Sequence, residues 1–305
     1  TSSLVGSEMC IRDSAMADFL RQTAKSNGIP LTHAALVLPS TEVFTRELVM
    51  PAMTEQQLLY NLPYEFRDYL TEEKNKYFFD YSMREVLRDE SGQPTEMNLL
   101  ACATLKSTVE SYRTMLRRAG FRLRVLTPSE CAYSAVLQAY YRRTQQEGRD
   151  LCVVNLGHSA TFLYIYRGGH FASRREIEVG VSDLEHLVAD QCSVDVHVAH
   201  EYVRQNYNHV LESEQARELY GRIAVEVVKA VNFFNYNNRE RELTQLCLCG
   251  GGSAIQPLYD TIADTTGMTL HTSAELLGQR MSTQEPWMYL RAIGGVDLGI
   301  KGGLQ

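Results

Sequence analysis

No Cys-x-x-Cys pair occurs in this chain, and its seven cysteines are odd in number and scattered from Cys10 to Cys249. That spacing argues against both a zinc site and a disulfide framework, and it fits a reducing compartment. Cys152, Cys247 and Cys249 sit in apolar, strand-like runs, where a free thiol behaves as a small hydrophobe. No apolar run reaches the roughly 18 residues of a membrane span, and no signal-peptide pattern is visible. Basic charge is also scarce: 30 Lys and Arg stand against 37 Asp and Glu, for a net charge of -7. A protein that binds the phosphate backbone needs a positive face, so nucleic acid is not an expected partner. The short basic clusters Arg117-Arg118 and Arg174-Arg175 read as solvated edges rather than a membrane patch. Neither the dinucleotide G-x-G-x-x-G nor the G-K-[ST] of a P-loop is found. His197, His200 and Glu201 form HVAHE, which matches neither order of the zinc-protease motifs. The single Trp287 reads as packing.

What is present suits a globular protein of about two domains: 305 residues, 44% of them apolar. The opening TSSLVGSEMCIRDS has no amphipathic period. It resembles translated sequencing-adapter read-through, as found at the ends of assembled contigs. Residues 1–14 are therefore set aside as a non-native segment. The expectation is that the native start was lost and that Met16 is not the first residue.

From Met16, apolar residues at helical spacing run to the stop signal Asn27-Gly28. HAALVLP reads as a buried strand and VFTRELVMP as an alternating one. The next segment is an amphipathic helix capped by Thr54, with a break expected at Pro63. YFFDYSMREVL and MNLLACATL are strands joined by a polar turn at Ser91-Gly92, and TVESYRTMLRRAG is a helix. RVLTP then returns to a strand, and a helix begins near Ser129. The polar QQEGRD marks a domain boundary. After it, LCVVNLGHSATFLYIYRGGHFASRREIEVG reads as a β-meander turning at Gly157 and at Gly168-Gly169. A helical region from about Val181 to Arg239 precedes a closing strand, glycine loop and helix. No repeat or low-complexity tract is visible.

Two constellations could carry chemistry. In Asn155-Leu156-Gly157-His158-Ser159-Ala160-Thr161, a tight turn joins two buried strands. Gly157 lets the backbone approach a ligand, and exposed N–H groups with the Ser159 and Thr161 hydroxyls could hold phosphate oxygens. The same turn would serve any hairpin. In Gly250-Gly251-Gly252-Ser253, between strand QLCLC and a helix, a side-chain-free run could lie against a flat ring and aim a helix N-terminus at phosphate. A plain strand-to-helix turn is the alternative there.

Taken together, a D-x-G-x-x-x-T-like turn, a long helical insert and strand-GGG-S-helix resemble the second half of an actin-like ATPase. The stretches LVLPSTEVFTRELVMPAMTEQQL, LRRAGFRLRVLTPSECAYSAV, NLGHSATFLYIYRGG, REIEVG and LCLCGGGSAIQPLYDTIA resemble, in order and spacing, the PilM family of type IV pilus assembly, itself similar to the cell-division protein FtsA.

The resemblance implies an α/β, actin-like (ribonuclease H-like) two-lobed fold with an FtsA-like inserted α/β subdomain. Residues 15–30 and 124–148 would be the remnant of the first lobe and 31–123 the inserted subdomain. Residues 149–305 would be the second lobe, with its helical insert at about 181–243. Asn155, Gly157, His158, Ser159 and Thr161 would form the second phosphate loop, and Gly250, Gly251, Gly252 and Ser253 the adenosine loop. Glu226 and Lys229 match the helix that reaches the ribose, though the pair is also an ordinary helix ion pair. The implied cofactor is ATP with magnesium in the intact parent.

Two departures bear on that. The family's first phosphate loop, a G-x-D-x-G-type turn, has its place taken by the foreign segment. Asn155 stands where the family has Asp, and an amide brings no charge to magnesium. Little turnover is expected, and nucleotide binding by this chain is in doubt. The implied partners are the cytoplasmic tail of a PilN-like inner-membrane protein and the pilus motor ATPases. The place would be the inner face of the cytoplasmic membrane, reached only through partners. An FtsA-like filament protein is the alternative, disfavoured by the ending GGVDLGIKGGLQ, which offers no amphipathic membrane helix. A small-molecule kinase of the same fold ranks third for want of a catalytic carboxylate.

Overall fold

The structure, a computed structural model, describes residues 2–146, 148–239, 241–278 and 285–301, with side chains described within 14–300. The chain divides into two compact units: residues 1–132 together with 292–305, and residues 133–291.

The first unit opens with a helix, α1 (Ser2–Ser26), which continues through the stretch that showed no amphipathic period. Helix α1, by way of Ala17 and Leu20, packs on Met115, Leu116 and Ala119 of α3 (Lys106–Ala119). Strand β1 (His33–Leu38) pairs in parallel with β5 (Arg122–Pro128), and Ala34 and Leu123 join the α1–α3 cluster. Gly120, left-handed at φ 98°, ends α3 and turns the chain directly into β5.

A separate antiparallel sheet is built from β2 (Phe44–Pro51), β3 (Tyr77–Arg88) and β4 (Pro94–Leu105), with β4 central. Alternation puts Met97, Leu99, Ala101 and Ala103 on one face, where Leu58, Leu62 and Phe66 cover them from helix α2 (Glu55–Glu65) and its end. The sequence reading had grouped β1 and α3 with this sheet as residues 31–123. In the structure they pack instead with α1 and β5: among the described residues β1 takes its ladder hydrogen bonds from β5, outside the three-stranded sheet.

Pro63 lies in the last turn of α2, which ends two residues later. At the other end Thr54 closes a capping box with Gln57: its hydroxyl accepts the Gln57 N–H, and the Gln57 Oε1 accepts the Thr54 N–H at 2.9 Å. Thr54→Ala is expected to cost about 1 kcal/mol, read as a lower urea midpoint with unchanged slope. An unchanged midpoint would show that the cap is idle. At the far end of this unit, helix α10 (Leu290–Lys301) brings Gly294 against the backbone of Ala132 in helix α4 (Ser129–Thr144).

The second unit is a five-stranded sheet in the order β10-β9-β6-β7-β8. Strands β6 (Leu151–Leu156), β7 (Thr161–Arg167) and β8 (His170–Ile177) form the antiparallel meander. Strands β9 (Gln245–Cys249) and β10 (Thr269–His271) add in parallel beside β6. Between β8 and β9 run helices α5 (Val181–Cys192), α6 (Val196–Gln205) and α7 (Glu214–Asn237). Helices α8 (Gln256–Thr266) and α9 (Ser273–Leu277) flank β10. The core stacks Val154, Leu163 and Leu248 of the sheet against Ile223, Val227 and Val231 of α7.

Among the described residues no helix is long and apolar enough to cross a membrane. Cys152, Cys247 and Cys249 are buried, Cys102 and Cys131 partly covered, and Cys192 is exposed. Burial, the leading cause in each case, lifts the Cys131 and Cys249 thiols from 9.0 to about 11 and that of Cys102 to about 12. Below pH 9 folded and unfolded thiols are both protonated, and stability is fully present. Above it the unfolded chain loses protons first, so stability falls as pH rises toward 11. By pH 10 the loss is expected to be about 1 kcal/mol per such thiol. Urea melts at pH 8 and pH 10 test this, and a Cys131→Ala, Cys249→Ala variant should show a shallower decline.

Candidate functional site

Strands β6 and β9 are parallel neighbours, with Asn155 opposite Cys249. The turn after β6 and the glycine turn after β9 therefore open at the same edge, the carboxyl ends of two parallel strands, where α/β sheets place ligands. Sequence separates these two turns by about 90 residues, and the sheet brings them side by side.

The first turn is gripped from behind. The Gly157 N–H donates to the Ala160 carbonyl at 3.1 Å. The first N–H groups of α5 donate to the turn: Val181 to the Gly157 carbonyl at 3.1 Å and Ser182 to that of His158 at 2.8 Å. Gly180 makes this approach possible, since a Cβ there would lie 2.2 Å from the His158 carbonyl oxygen. His158 and Ser159 remain exposed at the tip. Thr161 is buried, and its hydroxyl donates to the Val179 carbonyl at 2.9 Å. It therefore tethers the strand to the segment before α5 rather than facing a ligand.

The glycine turn divides by role. Gly250, at φ 84° and ψ 170°, donates its N–H to the Trp287 carbonyl at 3.2 Å. A Cβ on Gly250 would lie 2.3 Å from Asn155 Oδ1, and one on Gly252 would lie 2.7 Å from the Leu156 Cβ. Both glycines are thus required by packing of the two turns on each other. Gly251 alone faces open space, with nothing within 4 Å of where its Cβ would stand. The Ser253 hydroxyl donates to the Gly250 carbonyl at 2.5 Å, which rounds the turn and commits the hydroxyl. A void of about 10 Å³ lies behind the two turns, between Leu156, Gly180 and Ile223. That is room for about one water, so a ligand would have to sit on the open side.

Glu226 and Lys229 form an ion pair with each other at 2.7 Å, both largely exposed. The α7 residues that line the void are instead Leu219, Tyr220 and Ile223, one to two turns earlier. The structure thus brings Asn155, Gly157, His158, Ser159 and the three glycines together. It turns the hydroxyls of Thr161 and Ser253 inward.

Two contributors escaped the sequence reading. Gly180 left a readable signal, as the last glycine before a helix. Glu185 left none: its carboxylate is buried in α5, 2.8 Å from His200 Nδ1 and 3.8 Å from His158 Nδ1. HVAHE drew attention to His200, whereas its partner is on the preceding helix.

The donor set fits a nucleotide in part. An open glycine face and an exposed turn carrying a hydroxyl and an imidazole suit a flat ring and phosphate oxygens. Asn155 adds no charge for magnesium, and among the described residues no group of three or more His, Cys, Asp or Glu could hold a metal ion.

Comparison with known proteins follows the same lines. Among solved structures, a PilM-PilN type IV pilus biogenesis complex is similar in fold, with a TM-score of 0.76 and 18% identity over 95% of this chain and 85% of that chain. The ethanolamine utilization protein EutJ from Carboxydothermus hydrogenoformans gives 0.46, at 14% identity over 64% and 62%. An archaeal actin homolog gives 0.44, at 15% identity over 59% and 58%. Comparison with curated proteins gave no match. A family model described as type IV pilus assembly protein PilM matches residues 5–286. The chain therefore belongs to the type IV pilus assembly protein PilM family.

Proposed function

We propose that this chain is a cytoplasmic scaffold of type IV pilus assembly. It captures the short cytoplasmic tail of a PilN-like inner-membrane protein and so works at the inner face of the membrane, where the pilus motor ATPases are its further partners. The observation that carries the reading is the family match over residues 5–286. A fold likeness to a PilM-PilN complex across 95% of the chain supports it. Titration calorimetry with a synthetic peptide of the PilN-like tail from the same genome tests the reading. Saturable binding that a scrambled peptide lacks is expected, and equal, weak heats for both peptides would overturn it.

An adenine nucleotide modulates the scaffold in this reading, its ring on Gly251 and its phosphates near His158 and Ser159. When bound, the nucleotide supplies a charge that biases conformation, and turnover is not required. Asn155, under the glycine turn, sets the metal dependence. With the family's first phosphate loop restored at the N-terminus, Asn155→Asp is expected to strengthen magnesium-dependent ATP binding several-fold, because charge-assisted contacts are about twice as strong as neutral ones, whereas in the present chain the same change should do little. Equal affinities with and without magnesium in both restored proteins would leave Asn155 as a turn residue, its amide serving only the hairpin.

A further inference from the structure

The buried positions of α5 are Leu184, Glu185 and Val188. The middle one carries a carboxylate, yet it is only 4% exposed. Glutamate is almost never covered to that degree unless it is paired, because taking a charge out of water without a partner is costly. Two imidazoles reach this carboxylate, and both approach the same oxygen. His200 Nδ1, on α6, stands 2.8 Å from Glu185 Oε1, and His158 Nδ1, at the tip of the first turn, stands 3.8 Å from it. The two imidazole side chains are 54% and 65% exposed.

The same helix holds His158 by its backbone. The Ser182 N–H donates to the His158 carbonyl at 2.8 Å, and Glu185 follows three residues later on the same helix face. His158 is thus held at its main chain, with Nδ1 within ion-pair reach of the carboxylate. Nε2, on the other side of the ring, is left for solvent or a ligand. An imidazole takes up its second proton between about pH 8 and pH 5, and both nitrogens then donate. The surrounding charged groups have other partners or face water. The Asp183 carboxylate accepts the Gly180 N–H at 2.8 Å. Glu201, beside His200, pairs with Arg204 at 2.9 Å. From α7, the Tyr220 phenol lines the void behind the turn, and burial raises it from 10.0. Glu178, His186 and His197 are exposed. The glycine turn, Gly250 to Ser253, brings no charged side chain.

We infer that Glu185 is a positioning residue for a cationic phosphate contact: its carboxylate holds the His158 ring with Nε2 outward, where the imidazolium donates to the terminal phosphates of a nucleotide, so that affinity rises as pH falls. This rests on the nucleotide reading of the two turns given above. A charge-assisted hydrogen bond is about twice as strong as a neutral one, and the imidazolium supplies that charge on a turn with no other cation. His200 tempers the effect. It competes for the same Glu185 oxygen, and its own proton takes part of the carboxylate's attraction away from His158. A Glu185 that merely tied α6 to α5 through His200 would need no second ring on the turn and would give nucleotide binding no pH dependence.

Nuclear magnetic resonance titration of the full chain with ATP, without magnesium, at pH 6 and pH 8 tests this. The amide signals of Gly157 and Gly251 report binding, and they do so even for weak affinities. ATP itself gains protons near pH 6, so each pH change is read against His158→Gln, which lacks the titrating ring. Relative to that variant, the wild type is expected to bind about fivefold more tightly at pH 6 than at pH 8. Adenosine, which has no phosphate, should show no such change. Glu185→Gln keeps the shape and an acceptor for His200 but not the charge, and should lose most of the effect. His200→Gln should enlarge it, a change of opposite sign that damaged structure would not produce. His186→Gln, exposed and one residue away, should alter nothing. If circular dichroism shows Glu185→Gln unfolded, His200→Gln decides alone, and an unchanged pH profile there would overturn the inference. ATP binding with one pH profile in the wild type and His158→Gln would overturn it too, leaving the nucleotide reading intact. No ATP binding at either pH would overturn both.

Discussion

Gly294→Val should leave the first unit unable to hold its native packing. A Cβ at this position would lie 2.0 Å from the carbonyl oxygen of Ala132, 2.5 Å from its carbonyl carbon and 3.0 Å from its Cα. All three are backbone atoms within helix α4, so no side-chain rotation relieves the clash. Helix α10 would have to withdraw by more than 1 Å along the contact, opening voids beside it. Overpacking of a flexible site costs about 1–3 kcal/mol. A clash against fixed backbone belongs above that range, at roughly 4–5 kcal/mol, a large part of a typical domain's stability. Insoluble expression, or a loss of cooperative melting, is the expected result. Gly294→Ala should be nearly as severe, since the Cβ alone makes the clash. Gly221 provides the opposite sign: it sits inside α7 with nothing within 4 Å of its would-be Cβ, and Gly221→Ala should stabilise by about 1 kcal/mol. A soluble Gly294→Val protein melting within a few degrees of the wild type would show that α10 can shift freely.

Gly250→Ala is expected to damage both stability and the site. Its φ of 84° with ψ of 170° lies in a region that glycine alone occupies without strain, and the strain costs about 1–3 kcal/mol. The added Cβ would also stand 2.3 Å from Asn155 Oδ1 and 2.7 Å from the Leu156 carbonyl oxygen. The amide can rotate away, but the carbonyl belongs to the sheet. A total near 4 kcal/mol follows, lowering the melting temperature by roughly 10 °C or more. Gly251→Ala is the informative companion. Its Cβ meets nothing, so folding should be unaffected. Under the nucleotide reading, however, that methyl group obstructs the flat ring and weakens binding severalfold. If Gly251→Ala binds nucleotide as the wild type does, the glycine turn is packing alone.

The second unit was largely legible in the sequence because its signals are local. Two-residue periodicity marks the strands of the meander, Gly157 and the pair Gly168-Gly169 mark its two turns, and the strand-GGG-helix ending is continuous. The Thr54 cap was legible for the same reason, three residues from its partner. Strand β1 was not, since its hydrogen-bonding partner β5 begins 89 residues later and no local pattern distinguishes a parallel partner from the nearest available sheet. The site was legible as two glycine turns, but the direction of each side chain was not. Thr161 and Ser253 are short hydroxyls next to unmet carbonyls, and the backbone claimed them first. Glu185 is buried with its carboxylate toward His200 of the next helix and His158 of the distant turn, and a helical pattern says nothing of which groups that tip will meet.

The distribution of thiols gives the molecule a chemical handle. Thiolate, not thiol, attacks a maleimide; burial keeps Cys102, Cys131, Cys152, Cys247 and Cys249 protonated, and the last three are also out of reach. Among the cysteines whose side chains are described, Cys192 alone is exposed. It is the last residue of α5, the helix whose first N–H groups hold the turn at Gly157 and His158. A fluorophore attached there would report on the opposite end of that helix without touching the turn itself.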